Sequence, residues 1–250
     1  FTPTSVGARS AVMRLPVVDP VSGPYTAAVN ISATATPTRA SVIIGYSAVA
    51  VPRSDSCGNP SGRTCESLSG DVISDSLRST YGTDFAIMNS GSIRADLTCS
   101  PGGPSCPIAT GAPFAITRGQ VYSVLPFGNR ALTATVTGTY VRDSLENAVS
   151  RMPLQDGRFG QVSGLCFTYD ISGAPGSRVT SVVRQAADGS CSGPAVDLSA
   201  SSSYRVAIND FMAEGGDGYP TVNGASGALV VEVVSNQIAI TANPTPISPV

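Results

Sequence analysis

The chain has 250 residues, 42% hydrophobic and 13% charged, which suits one large or two small globular domains and is too apolar for a disordered chain. Its formal net charge of -2 leaves no basic stripe for a nucleic-acid polymer, and no run approaches the roughly 18 apolar residues of a membrane span. All 15 basic residues are arginine and histidine is absent, which excludes Ser-His-Asp, Cys-His and His-metal sites and leaves no lysine base; paired carboxylates remain.

Residues 1–40 are rich in Pro, Ala and Thr, and the stretch from Asp19 to Ala40 predicts a poor helix or a linker. Ser41 to Val51, dominated by β-branched residues, predicts a strand. ESLSGDVISDSLRSTYG carries Leu68, Val72, Ile73 and Leu77 at helical spacing, and FAIMNSGSIRADL reads as a short buried strand breaking into a glycine turn. VYSVLPF, Val121 to Phe127, predicts a strand, ALTATVTG follows, and TYVRDSLENAVSRM predicts an amphipathic helix. QVSGLCFTYDIS, RVTSVVRQ, the strand YRVAI and the apolar strand ALVVEVV complete the order, ahead of the Pro-rich tail at 241–250. Strands and helices interleave irregularly, which predicts a mixed α/β fold with a mixed sheet.

Six cysteines, Cys57, Cys65, Cys99, Cys106, Cys166 and Cys191, show no C-x-x-C spacing. An even count in Ser/Gly-rich loops fits disulfides formed in an oxidising compartment, hence an exported protein. Nearest-neighbour pairing joins 57–65, 99–106 and 166–191, one of about 15 possible arrangements.

Four segments carry chemistry. In NDFMAEGGDGYP, Asn209 to Pro220, Phe211 precedes a tight turn in which Gly216 and Gly218 flank Asp217, a setting suited to a flat, hydroxyl-bearing molecule. A Walker loop would need a lysine and a calcium loop would need acids at alternate positions, so a plain turn is the remaining rival. In MNSGSIRAD, Asn89 and Arg94 flank a glycine turn; Asn offers donor and acceptor and Arg a fork for phosphate, against an Asx turn beside a surface arginine. Phe127 lies between Pro126 and Gly128, either presented to solvent or buried in a core. Arg63 sits in the loop between Cys57 and Cys65, where a disulfide would restrain it.

Taken in order, NSGSIRAD, ITRGQVYSVLPFGN, GRFGQVSGLCFTYD and YRVAINDFMAEGGDGY resemble the C-terminal domain of the 5'-nucleotidase family, over about Ser41 to Val234. GRTCESLSGDVISDSL looks like that domain's opening. The resemblance implies layered sheets with flanking helices over residues 41–240, with residues 1–40 leading in from an upstream domain. It implies that Phe127 and Phe211 sandwich a nucleobase, that Asp217 takes ribose hydroxyls, that Asn89 contacts base or ribose, and that Arg94 and Arg63 face phosphate. Family members hydrolyse phosphate esters at a divalent metal pair held by an N-terminal metallophosphoesterase domain. Without histidine this chain is expected to carry no cofactor and to be inactive alone, its partners being a nucleotide or nucleoside and that N-terminal domain. The expected location is extracellular or periplasmic. Ser90 and Ser92 depart from the family pattern, replacing glycines common in the motif. Two further readings stand beside this one: a binding module that has kept the fold alone, and the same domain in a cyclic-nucleotide or nucleotide-sugar phosphoesterase.

Overall fold

The computed structural model describes residues 7–19, 23–35, 39–98, 112–222 and 229–235, with side chains over 40–98 and 112–222. The chain divides into two units, Phe1–Val42 and Ile43–Val250.

The first unit contains an antiparallel hairpin of β1 (Gly7–Asp19) and β2 (Gly23–Ala35), in unbroken register from Gly7↔Ala35 to Asp19↔Gly23. This corrects the helix or linker expected from Asp19 to Ala40. The signal was in the sequence: Tyr25, Ala27, Val29, Ile31 and Ala33 alternate with Thr26, Ala28, Asn30, Ser32 and Thr34, a period of two that suits a strand. Alanine content suggested helix, and hydrogen bonding to a second strand overrode that local preference.

In the second unit the elements run β3 (Ile43–Ser47), α1 (Leu68–Tyr81), β4 (Phe85–Asn89), β5 (Phe114–Thr117), α2 (Arg118–Val124), β6 (Ala131–Thr137) and α3 (Gly138–Val149). They continue with β7 (Gly160–Ser163), β8 (Leu165–Tyr169), β9 (Val179–Arg184), β10 (Ser203–Asn209), the short helix α4 (Asp210–Ala213) and β11 (Leu229–Ser235). The main sheet has the order β11-β6-β10-β4-β7, and β3–β5 and β8–β9 form two small ribbons. Within the main sheet β10 and β4 are parallel and the other pairs antiparallel. The fold is mixed α/β, as expected.

The sheet separates two apolar cores because strand side chains alternate faces. Phe85 and Ile87 of β4 join Val206 and Ile208 of β10 and Val141 and Leu145 of α3. Ala86, Met88 and Ala207 face the other way, toward Ile73 and Leu77 of α1. Burying a side chain such as Leu77 or Leu145 stabilises by about 1.5–3 kcal/mol. Helix α1 starts at Ser67, whose hydroxyl accepts from the Gly70 amide, and stops at Gly82, where φ is 59°. Ile73 and Leu77 are buried as the periodicity predicts, whereas Leu68 is exposed.

Two predicted strands differ. Val121–Phe127 is not a strand: helix α2 covers 118–124, because Thr117 and Gln120 form a capping box that starts a helix there. The Ser41–Val51 strand is confined to β3. Ser47 Oγ donates to the Val49 carbonyl at 2.7 Å and accepts from its amide at 3.3 Å, a serine turn that ends the strand. Disulfides join Cys57 to Cys65 and Cys166 to Cys191, while Cys99, Cys106 and the tail at 241–250 lie outside the described residues.

Candidate functional site

Parallel β4 and β10 end side by side at Asn89 and Asn209, and antiparallel β6 begins at the same edge. The carboxyl ends of parallel strands are where α/β sheets gather ligand-binding loops. Five of the six predicted site residues lie in the strand end, short helix and turns at this edge, and the sixth, Arg63, is tied to it from the neighbouring disulfide loop.

Asn89 closes β4 and is 1% exposed. Its Nδ2 donates to Asp217 Oδ2 at 2.6 Å, while its Oδ1 accepts from Ser92 Oγ at 2.6 Å and Asn209 Nδ2 at 2.9 Å. Asn89 is thus committed to orienting Asp217. Ser92 fills a role here that glycine lacks the oxygen for. Asn209, fully buried, also caps α4 by accepting from the Met212 amide at 2.8 Å. Asp217 has φ 54°, the left-handed region that non-glycine residues seldom occupy. Its backbone is held there by Asn147, whose Nδ2 donates to the Asp217 carbonyl at 3.1 Å. Gly91 and Gly157 leave room beside its carboxylate, since a Cβ on either would stand 3.2–3.3 Å from Asp217 Oδ2.

Phe127 and Phe211 are 62% and 42% exposed. These are large apolar surfaces with no place in either core. Phe127 borders an apolar recess lined by Met88, Val121 and Leu125. Phe211 lies with its ring against Gly216, where an added Cβ would meet three ring carbons at 2.5–2.6 Å. Gly216 therefore leaves room for the Phe211 ring.

Arg94 reaches back over this region: its guanidinium carbon lies 5.7 Å from the Phe127 ring centre and its Nη1 donates to the Gly91 carbonyl at 3.3 Å. Arg63 sits in the loop closed by Cys57–Cys65, with Nε buried and unpartnered. Asp55 shapes that loop: its carboxylate accepts from the amides of Cys57, Asn59, Thr64 and Cys65 at 2.8–3.2 Å. Burial works to raise the Asp55 pKa, but the hydrogen bonds from Asn59, Thr64 and Cys65 outweigh it and hold the carboxyl below its usual range.

Two residues absent from the sequence reading connect these loops. Gln161 of β7, 1% exposed, donates to the carbonyls of Gly62 and Cys65 and to Ser90 Oγ at 3.1–3.2 Å and accepts from the Ser67 amide at 3.1 Å. It fastens the Arg63 loop to the turn after Asn89. Arg53 donates to the Ser61 and Arg94 carbonyls, both at 3.0 Å. Its pKa is lowered by burial and then by the charges of Arg63 and Arg94, with Asp96 opposing, so three guanidiniums share one neighbourhood. The only signal for Gln161 was an amide in a buried strand; for Arg53 there was none.

The arrangement offers two open phenyl faces, a carboxylate fixed in place and a cluster of guanidiniums. It can stack a flat ring, accept hydroxyls and attract an anion. Among the described residues no three His, Cys, Asp or Glu side chains are grouped to hold a metal ion, so the metal pair implied by the resemblance has no fit among them. No helix there is long and apolar enough to cross a membrane.

Residues 43–224 match the model of the family "5'-nucleotidase, C-terminal domain". The trifunctional nucleotide phosphoesterase protein YfkN of Bacillus subtilis is 33% identical over 168 residues, covering 66% of this chain and 10% of that protein. The snake venom 5'-nucleotidase of Macrovipera lebetinus is 35% identical over 129 residues, 49% of this chain and 31% of the venom protein. Among solved structures, a 5'-nucleotidase precursor from Thermus thermophilus superposes with a TM-score of 0.61 at 28% identity, covering 88% of this chain and 43% of that one. The chain therefore spans less than half the length of each of these relatives. It belongs to the 5'-nucleotidase C-terminal domain family.

Proposed function

We propose that this domain recognises a nucleotide or nucleoside for a phosphoesterase that releases phosphate from nucleotides. In this reading Phe127 and Phe211 stack on the base, Asp217 accepts from ribose hydroxyls, and Arg94 and Arg63 attract the phosphate. Asn89 acts through Asp217. The observation that carries the reading is the pair of exposed phenylalanines at the same sheet edge as a carboxylate held in the left-handed region. A ring stacked on a base stabilises binding by about 1–3 kcal/mol in nucleic-acid systems.

The hydrolytic step is assigned to an N-terminal metallophosphoesterase unit carrying a divalent metal pair, with residues 1–40 leading in from it. The absence of histidine supports placing the chemistry there. The two disulfides among the described residues support an extracellular or periplasmic location, and the name of the venom relative agrees with it.

Calorimetry with AMP and adenosine on the 250-residue chain tests the reading. Phe127→Ala and Phe211→Ala should each weaken adenosine binding, and unchanged affinity in both would sink the stacking model. Phosphate release from AMP by the purified chain with divalent metal present would sink the assignment of chemistry elsewhere.

The cluster of Arg53, Arg63 and Arg94 favours a second substrate class, nucleotides bearing more than one phosphate or a phosphate-linked sugar. A comparison of AMP with ADP and a nucleotide sugar distinguishes the two.

A further inference from the structure

The two phenylalanines flank the ends of neighbouring strands. Asn209↔Ala131 is the last pairing of β10 with β6, so Phe211 follows the exit of one strand and Phe127 precedes the entry of the other. Adjacent strands lie about 4.8 Å apart. A base between two rings needs roughly 7 Å, two contacts of about 3.5 Å each. Left to strand geometry alone, the rings would start too close for that. The ring pairs found among the described residues are Phe85–Tyr204 and Phe167–Tyr169, so Phe127 and Phe211 have not closed on one another.

What joins their two loops is Asp210. Its Oδ1 accepts from Asn129 Nδ2 at 2.9 Å and from the Phe211 amide at 3.0 Å. Its Oδ2 accepts from Arg130 Nε at 3.1 Å, and its own amide donates to the Arg130 carbonyl at 3.0 Å. One carboxylate thus binds the residue two positions after Phe127, the residue after that, and the backbone of Phe211. Burial works to raise the Asp210 pKa, but hydrogen bonds from Asn129 and Arg130 outweigh it and hold the carboxyl below its usual range. Arg130 is 45% exposed, and ion pairs with an exposed partner add little to fold stability. The consequence of this one is geometric. Gly128, at φ 68°, supplies the bend that brings Asn129 back toward Asp210 while Phe127 projects outward.

We propose that Asp210 is a positioning residue that sets the spacing between the Phe127 and Phe211 rings, and through it the affinity for the base half of the ligand. The proposal rests on the stacking reading given above. It separates base recognition from the phosphate end, which depends on the Arg63 loop and Gln161.

The test is an NMR titration of the 250-residue chain with two ligands, adenosine and ribose 5-phosphate. Asp210→Ala should weaken adenosine about tenfold, on the scale of losing one stacked ring, and shift ribose 5-phosphate less than about twofold, within the scatter of such comparisons. Asp210→Asn keeps an oxygen for Asn129 and the Phe211 amide and should recover part of the affinity. Arg130→Ala, a change at a half-exposed side chain, should weaken adenosine alone even if Asp210→Ala folds poorly. Unchanged adenosine affinity in both Asp210→Ala and Arg130→Ala overturns the proposal. So does an equal loss for the two ligands, which would mark a merely structural role. If Phe127→Ala and Phe211→Ala leave adenosine binding intact, the stacking reading itself fails, and that outcome is distinct from a failure of Asp210 alone.

Discussion

Replacing Gly216 by alanine isolates the geometry of the aromatic pocket from its chemistry. An added Cβ would stand 2.5 Å from Cε1 and Cζ of Phe211 and 2.6 Å from Cδ1, where ordinary contact begins at 3.4 Å. The ring must leave its present position by about 1 Å, and a gap of that size forfeits about a quarter to a half of a dispersion contact. The expected loss is up to about half the stack, about 0.5–1.5 kcal/mol, which weakens adenosine by about 2- to 13-fold. Stability should not fall. Phe211 is 42% exposed and can swing outward, and Gly216 is not in the left-handed region, so alanine gains about 0.4–1 kcal/mol through the unfolded state. Calorimetry on Gly216→Ala, Phe211→Ala and the double variant checks this. With the ring gone the Cβ meets no ring carbon, so the double variant should bind like Phe211→Ala. Two results refute the reasoning: wild-type affinity in Gly216→Ala, or a further loss when it is added to Phe211→Ala.

Gln161→Ala should cost about 2–4 kcal/mol of stability in urea titration, because the Ser67 amide, the carbonyls of Gly62 and Cys65 and Ser90 Oγ lose a shared partner in a dry setting. A loss below about 0.5 kcal/mol, the range of ordinary surface changes, would refute that role. Asp71 should make stability fall with rising pH. Burial foremost, then the charge and hydrogen bond of Glu66 and the charge of Asp75, push its carboxyl from 3.8 up to about 8. The folded chain therefore holds this proton more tightly than the unfolded one, so stability is fullest below about pH 4 for this group, declines as pH rises toward 8, and is flat above. Asp71→Asn removes the ionisation and should be the more stable form at pH 9, by about 1–3 kcal/mol, the usual cost of a buried unsatisfied polar group. Equal thermal midpoints for variant and parent at pH 9 would contradict it.

Much of the fold was legible in local pattern. The all-buried FAIMN and the alternating apolar positions of YRVAIN announced the two parallel strands that carry the site, and Ile73 and Leu77 announced the inner face of α1. The capping box at Thr117 and the period of two in β2 were equally local, and β-branched or alanine-rich composition masked them. The family resemblance selected Phe127, Phe211, Asp217, Asn89, Arg94 and Arg63 from ordered motifs, and the missing histidine and lysine bounded the chemistry from composition alone.

What composition and motif left open was how distant residues meet. Asn89 and Asp217 are 128 positions apart, and only the parallel pairing of β4 with β10 gives the amide of one the carboxylate of the other. Gln161 reads as an ordinary polar residue in a strand until β7 sets it against the Arg63 loop. Gly216 reads as a turn residue until the ring of Phe211 lies on it. Side-chain type and short-range spacing are written along the chain and can be read there. Long-range hydrogen bonds depend on which strands become neighbours, which is settled by burying both faces of one sheet at once.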